Sequence, residues 1–596
     1  MTDDQTRPID TSTQADQNAV AEGSATPATP ATPANPGAAS TAPVAPASNR
    51  GRWAIALGVV AVAIALTVGG LLFLNNGPTT PEALRYVPGD AAAVAELRLD
   101  LPGDQMQHVG NLLAHFPGFK DQASLTDKID EALTRLVGTA TAGQADYRTK
   151  LKPWLNGAAF VGVIAPAAGA SAESLQAVIS ATTNGSVTCA ATFEGQAVGH
   201  EAYRGLDLVL SADGSMACVV DGRQALLGDP ATVRKALDAK AAGNGMDKTE
   251  AYRTARAALG GDRLATLFVS GRTLAQLIPV PGPSAAIPDV SALLGAIPEW
   301  TMVGLRAEDD ALVVDTVAAP VTPPSAAPSM LPLPAAHASS ITGLLPADTL
   351  LFLEHQGAGV TLQNVLATLR SSPELAAPLQ ILDGFGGGGD LVGWIDDLGV
   401  AASVDGTTPN VTVFVVARDD AAASSRVSAL GTLITLAGLG DGIDVRDTTI
   451  NGVAVTTIRI TDLNSVVPPG TVPGLDQVPV TGPIEFSIAA RGRVILVTSG
   501  EAAMTAVLNV QAGASLADQA PFKKALERGL ANSRTSVYLA AGASFDLAKG
   551  LLPAETVAQW ETDIAPYLDP LEALSISVSD DAAVTRSRLV ITVSQP

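Results

Sequence analysis

Residues 53–74, WAIALGVVAVAIALTVGGLLFL, run for 22 positions without a charge, and Thr67 is the only polar side chain among them. A helix rises about 1.5 Å per residue and needs about 20 such residues to cross the hydrocarbon of a bilayer. The pattern predicts a membrane anchor over 50–76, with Trp53, Leu57, Val60, Ile64, Leu66, Leu71 and Phe73 among its anchoring side chains. Arg50 and Arg52 precede the span, and Arg85 is the only basic residue shortly after it. Positive charge stays on the cytoplasmic side, so these arginines predict a cytoplasmic N-terminus and a C-terminal body outside. The stretch that follows, LLFLNNG, offers no convincing small-residue cleavage site, and the span reads as an uncleaved signal anchor.

Beyond the anchor the apolar period changes twice. QMQHVGNLLAHF puts Met106, Val109, Leu113 and Phe116 on one helical face, and SLTDKIDEALTRLVG does the same with Leu125, Ile129, Leu133 and Leu136. WLNGAAFVGVIAP and WIDDLGVAASVDG each lead from a tryptophan (Trp154, Trp394) into a strand, and several short strands with Asn-Gly or Asp-Gly turns follow. Helices cluster and strands run together, which predicts an α+β fold with mainly antiparallel sheet.

The same order of elements is written twice. AYRTARAALGGDRLATLFVSG (251–271) is echoed by PFKKALERGLANSRTSVYLAA (521–541), and DGRQALLGDPATVRKALD (221–238) by RGRVILVTSGEAAMTAVL (491–508). VPGDAAAVAELRLD resembles LPADTLLFLEHQG, so that Pro88, Asp90 and Glu96 match Pro346, Asp348 and Glu354. EDDALVVDTVA resembles SDDAAVTRSRL, with paired aspartates at a hairpin turn in each. The ordered series predicts a tandem duplication, with repeat 1 over 77–318 and repeat 2 over 343–596. A Pro-rich linker, 319–342, lies between them. The Ala-, Pro- and Thr-rich residues 1–49 have too little apolar side chain to order a backbone and read as a disordered cytoplasmic tail.

Composition removes some functions and supplies none. The formal charge of −23 repels phosphate backbones, and no basic stripe offsets it, so nucleic acid is not an expected partner. Cys189 and Cys218 both fall in predicted strands outside the membrane, where a disulfide is permitted; two buried thiols fit the pattern as well. His108, His115, His200, His337 and His355 are scattered without metal-ligand spacing, and no nucleophile elbow or phosphate loop is present. In AELRLD, Glu96, Arg98 and Asp100 alternate with leucines, which reads as a half-buried strand with its charges in water.

YVPGDAAAVAELRLDLPGDQMQHVGNLLAHFPGF (86–119), followed by KPWLNGAAFVGV (152–163), resembles the bacterial family called domain of unknown function 3352. That resemblance implies a single N-terminal anchor and an extracytoplasmic body, and it brings no activity, cofactor or site residues. The expected function is a membrane-tethered, non-enzymatic binding or scaffold protein of the bacterial envelope. Its expected partners are the bilayer, through one helix, and an envelope protein or apolar ligand. A carrier of a lipid or other apolar molecule is the alternative, and an envelope hydrolase without a recognisable motif is the third.

Overall fold

A computed structural model describes residues 82–98, 103–117, 155–164, 176–185, 199–273, 297–321, 331–370, 392–405, 408–437, 442–461, 483–550, 552–580 and 583–594, with isolated positions between them. The predicted anchor with Arg50 and Arg52, the tail, and the helix expected over 125–136 lie outside the described residues. Among the described residues, no helix is long and apolar enough to cross a membrane.

The first ten strands are β1 (Ala93–Arg98), β2 (Leu155–Ile164), β3 (Gln176–Thr183), β4 (Gly199–Tyr203), β5 (Leu206–Leu210), β6 (Ala217–Asp221), β7 (Gln224–Gly228), β8 (Ala265–Ser270), β9 (Trp300–Glu308) and β10 (Ala311–Ala318). The second ten are β11 (Leu351–Gln356), β12 (Ile395–Asp405), β13 (Thr408–Ala417), β14 (Ile443–Ile450), β15 (Val453–Ile460), β16 (Ile484–Arg491), β17 (Val494–Thr498), β18 (Thr535–Ala540), β19 (Leu571–Asp580) and β20 (Thr585–Val593). All twenty belong to one sheet, and every pairing in it is antiparallel.

β10 pairs with β20 from Ala311↔Thr592 to Ala318↔Thr585, and this pair joins the two sets. Read outward from it, one flank runs β9, β8, β1, β2, β3, β7, β6, β5, β4. The other runs β19, β18, β11, β12, β13, β17, β16, β15, β14. The turns are written locally. Gly222 and Gly492 open the β6–β7 and β16–β17 hairpins at φ 62° and 60°, a region that side chains with a Cβ rarely enter.

Helices follow the strands, and their ends are set by sequence. In α2 (Pro230–Ala242) the Asp229 carboxylate accepts from the amides of Ala231 and Thr232, Pro230 opens the first turn, and Gly243 closes the last at φ 67°. This helix lays Val233, Ala236 and Leu237 on Val178, Val219 and Leu226. α3 (Glu250–Leu259) places Tyr252, Ala255 and Leu259 with Val94, Phe160 and Met302. In the second set, α6 (Glu501–Leu508) and α7 (Ala520–Glu527) pack Met504, Val507 and Phe522 on Phe352, Phe414 and Tyr538. Phe522 stands edge-on to Tyr538, with ring centroids 4.9 Å apart. These helices share one face of the sheet, called here the inner face.

Among the described residues, α1 (Gln105–Leu113) and α5 (Asp420–Ala437) both pack on the outer face. α1 sets Val109 and Leu112 over Leu305 and Ala307, beside Leu312 and Val314. α5 sets Ala423 and Val427 over Ile488 and Ile495, beside Val415 and Val497. Two further helices matter below: α4 (Ala358–Arg370), which follows β11, and α8 (Ala541–Gly550), which follows β18.

One expectation is reversed. The charged positions of β1 point inward, where Glu96 is 3% exposed and Arg98 6%, while Leu97 is only half-buried. Alternation correctly separates the two faces of this strand, but the inner face is the one closed by helices. Glu96 accepts from Thr266 at 3.0 Å and lies 3.8 Å from Arg98.

Candidate functional site

Between the stretches packed by α1 and α5, the outer face of β11, β12 and β13 carries exposed apolar residues. Leu351 and Leu353 are 39% and 40% exposed, Val400 is 37% and Val411 is 41%. Antiparallel register lines these residues up across strands. Leu353 stands opposite Val400 on one side and Val537 on the other, and Val400 stands opposite Val413. The row continues through Val497 at one end and through Ile576, Leu589 and Val314 at the other. A second row runs Val411, Ala402, Leu351, Leu539, Leu574, Ile591 and Leu312. Neighbouring strands lie about 4.8 Å apart, so the rows form a continuous aliphatic floor. Val365 and Leu369 of α4 and Leu430 of α5 add exposed apolar side chains at 48%, 37% and 41%.

One row further along the same face the floor turns polar. His355 lies opposite Thr535, whose hydroxyl is 2.8 Å from Nδ1, and Thr361 of α4 is 3.0 Å from Nε2. Burial holds this imidazole below its usual pKa, which favours the neutral ring.

The inner face of the same two strands carries a second cluster. Glu354 is 3% exposed and Asp397 is fully buried. Gln356 stands opposite Asp397, so Glu354 is its diagonal neighbour across the β11–β12 ladder. Burial pushes Glu354 up to about 7, and burial likewise raises Asp397. Partners come mainly from the segment before β11. Ser339 donates to Glu354 Oε1 at 2.9 Å, and His337 Nε2 lies 3.4 Å from Asp397 Oδ1. The Gly357 amide donates to the same Oδ1 at 3.1 Å, and Asp397 Oδ2 has no hydrogen-bond partner among the described residues. Buried carboxyls with raised pKa values are candidates for a functional site. Among the described residues no group of three or more His, Cys, Asp or Glu could hold a metal.

Of the residues singled out from sequence, Cys189 and Cys218 are bonded, with Cα atoms 5.5 Å apart, and pack with Val209 and Phe193. Glu354 sits in the inner cluster, and Glu96 occupies the matching place on β1. His337, Ser339, Asp397 and the exposed floor carried no signal in the sequence beyond an apolar strand pattern. His337 and Asp397 are 60 residues apart; Gln356 holds the His337 backbone and stands opposite Asp397 across the β11–β12 pairing.

No curated protein matches the chain. Two solved structures of TP0453 are similar to parts of it. Crystal form I is 9% identical, with a TM-score of 0.21, over 40% of this chain and 79% of that one. Crystal form IV is 12% identical, with a TM-score of 0.20, over 42% of this chain and 90% of that one. The family model described as "Protein of unknown function (DUF3352)" matches residues 52–593, and the chain belongs to that family.

Proposed function

We propose that this protein is a membrane-tethered binding protein of the bacterial cell envelope, whose extracytoplasmic body holds an apolar ligand on the outer face of β11, β12 and β13. The observation that carries the reading is the exposed aliphatic floor of Leu351, Leu353, Val400 and Val411, set between the stretches of one sheet packed by α1 and α5. Contiguous exposed apolar surface is uncommon on folded proteins and marks interaction sites. Apolar sites need few polar groups, and the His355, Thr535 and Thr361 trio supplies them at one margin. Residues 53–74 would keep the body within reach of lipid.

The matching strand order of the two flanks and the sequence echoes together support a tandem duplication, with repeat 1 over 77–318 and repeat 2 over 343–596. On that reading the repeats have diverged at the floor. Leu351 and Leu353 correspond to Ala93 and Ala95, which stand opposite Val163 and Val161 of β2. Ligand binding would then belong to the second repeat.

The test is photocrosslinking of the full-length chain in vesicles whose phospholipid carries a diazirine in its acyl chain. Adducts at residues 351–353, 400 and 411, lost in Val400→Asp, are the expected result. Adducts confined to 53–74 would remove the proposal.

A further inference from the structure

Residues 331–340, the end of the Pro-rich linker, lie along the second repeat as a strap without helix or strand, and none of them is buried. Its apolar contact is slight: Leu333 is half-buried, and Pro334 and Leu333 lie close over Gly357. Its hold is a series of hydrogen bonds to side chains. The Leu331 amide and carbonyl pair with the Asn364 side chain of α4 at 2.8 and 3.0 Å. Arg534 Nε donates to the Pro334 carbonyl at 2.9 Å. The Gln356 amide group closes a two-bond ring with the His337 backbone, at 2.9 and 2.7 Å. Ser339 Oγ accepts from the amides of Ile341 and Thr342 and donates to Glu354.

Beneath this strap lie Glu354 and Asp397, the buried acids of residues 343–596 among those described. The charged and titratable groups facing them are few. His337, from the strap, faces both acids; Asp396 and Arg493 act on Asp397, and Arg493 itself is tied to Asp396 and to Ser340 of the strap at 3.3 and 3.2 Å. His355, from the other face of β11, feels Asp397, Asp580 and Arg534. Among the described residues no lysine or arginine is paired with Glu354, which meets the Ser339 hydroxyl and the fields of Asp397 and His337. Closing the strap therefore covers two neighbouring carboxyls with too little positive charge to neutralise both. Opening it lets water reach them.

We propose that strap residues 331–340 are a protonation-gated clasp on β11 and β12, closed while the Glu354–Asp397 pair holds a proton and opened when both carboxyls are ionised. The sign follows from the acids. A carboxyl whose pKa is higher in the closed state favours closure below its ordinary pKa of about 4.5, and that contribution is lost as pH rises through the closed-state value, about 7 for Glu354. Asp397 is raised in the same direction and acts with the same sign. Opening would also free Asn364, which lies one turn from Thr361 on α4, the helix that reaches the polar margin of the outer floor. The clasp does not depend on what the floor binds.

Hydrogen exchange of the full-length protein in lipid nanodiscs reads the clasp directly. The reporters are the amides of Leu331, His337, Ile341 and Thr342, corrected for intrinsic rates. Protection is expected to fall about 30-fold between pH 5.5 and pH 8.5. Glu354→Gln keeps an acceptor for Ser339 and cannot ionise, so it should stay protected at both values. Ser339→Ala, a smaller change, should exchange faster than wild type at pH 5.5, where the clasp is closed. A strap whose protection ignores pH, or a pH response that survives Glu354→Gln undiminished, would overturn the proposal. A response abolished by His337→Asn while Glu354→Gln retains it would do the same, by assigning the effect to the imidazole.

Discussion

Replacing Asp315 by alanine removes the carboxylate that three guanidinium groups share. Asp315 is 6% exposed on β10, and Arg263, Arg306 and Arg588 reach its oxygens at 3.2, 3.2 and 2.7 Å. Arg588 lies directly opposite on β20, so the cluster sits on the pairing that joins the two ten-strand sets. Arg263 is itself buried, and burial lowers its pKa against the attraction of Asp315. Taking one partner out of a buried ion pair costs about 3–5 kcal/mol, because the remaining charge is left without compensation. Here Arg306 keeps Glu308, and Arg588 keeps the carbonyl of Arg528 at 3.2 Å. That retention places the expected loss near the lower end, about 3 kcal/mol. Asparagine keeps the shape and one acceptor, and should cost less.

The assay is urea unfolding followed by circular dichroism and by tryptophan fluorescence. Asp315→Ala should lower the midpoint and separate the two probes, as the sets come apart before either melts. Pairing Asp315→Leu with Arg588→Met should recover part of the loss, since buried ion pairs can be replaced by apolar groups of similar volume. A loss below about 1 kcal/mol, within the range of ordinary substitutions, would refute the reasoning. It would mean that the arginines find water and that backbone pairing alone holds the seam.

Phe522→Ala empties the centre of the Phe352, Phe522 and Tyr538 cluster and should cost about 3–5 kcal/mol, read by the same unfolding curves. Asp229→Ala removes the acceptor for two amides at the start of α2 and should cost about 1 kcal/mol. Reducing the Cys189–Cys218 bond, which spans 29 residues, should lower stability by about 3–4 kcal/mol through the entropy of the unfolded chain, and dithiothreitol should shift the melting curve accordingly. Gly245→Ala would set a Cβ 2.5 Å from the Arg85 carbonyl oxygen, and should disrupt the Pro88–Gly245 bridge as judged by exchange of the Met246 amide.

What could be read from the sequence was local. Glycine turns, the Asp229-Pro230 helix start and the alternating strands all act within a few residues, and together they gave an antiparallel α+β fold. The charged alternation in β1 predicts Glu96 and Arg98 in water, and the fold buries them. Alternation reports which residues share a face, whereas the side that helices close depends on segments 150 residues further on, such as Tyr252 and Leu259 of α3. The floor was hidden for the same reason. Leu351, Leu353, Val400 and Val411 are ordinary strand residues in sequence, and become unusual through their exposure in the fold. The inner cluster needs Ser339, Glu354 and Asp397, each unremarkable alone, and a strand pairing no local pattern encodes.

The most direct test of the account is native mass spectrometry of residues 78–596, released from the anchor and purified without detergent, beside the same fragment carrying Leu353→Asp and Val400→Asp. The account predicts a stoichiometric apolar molecule on the first, recoverable by solvent extraction, and none on the second. A clean, ligand-free mass for the unsubstituted fragment, unchanged after incubation with lipid vesicles, would contradict it.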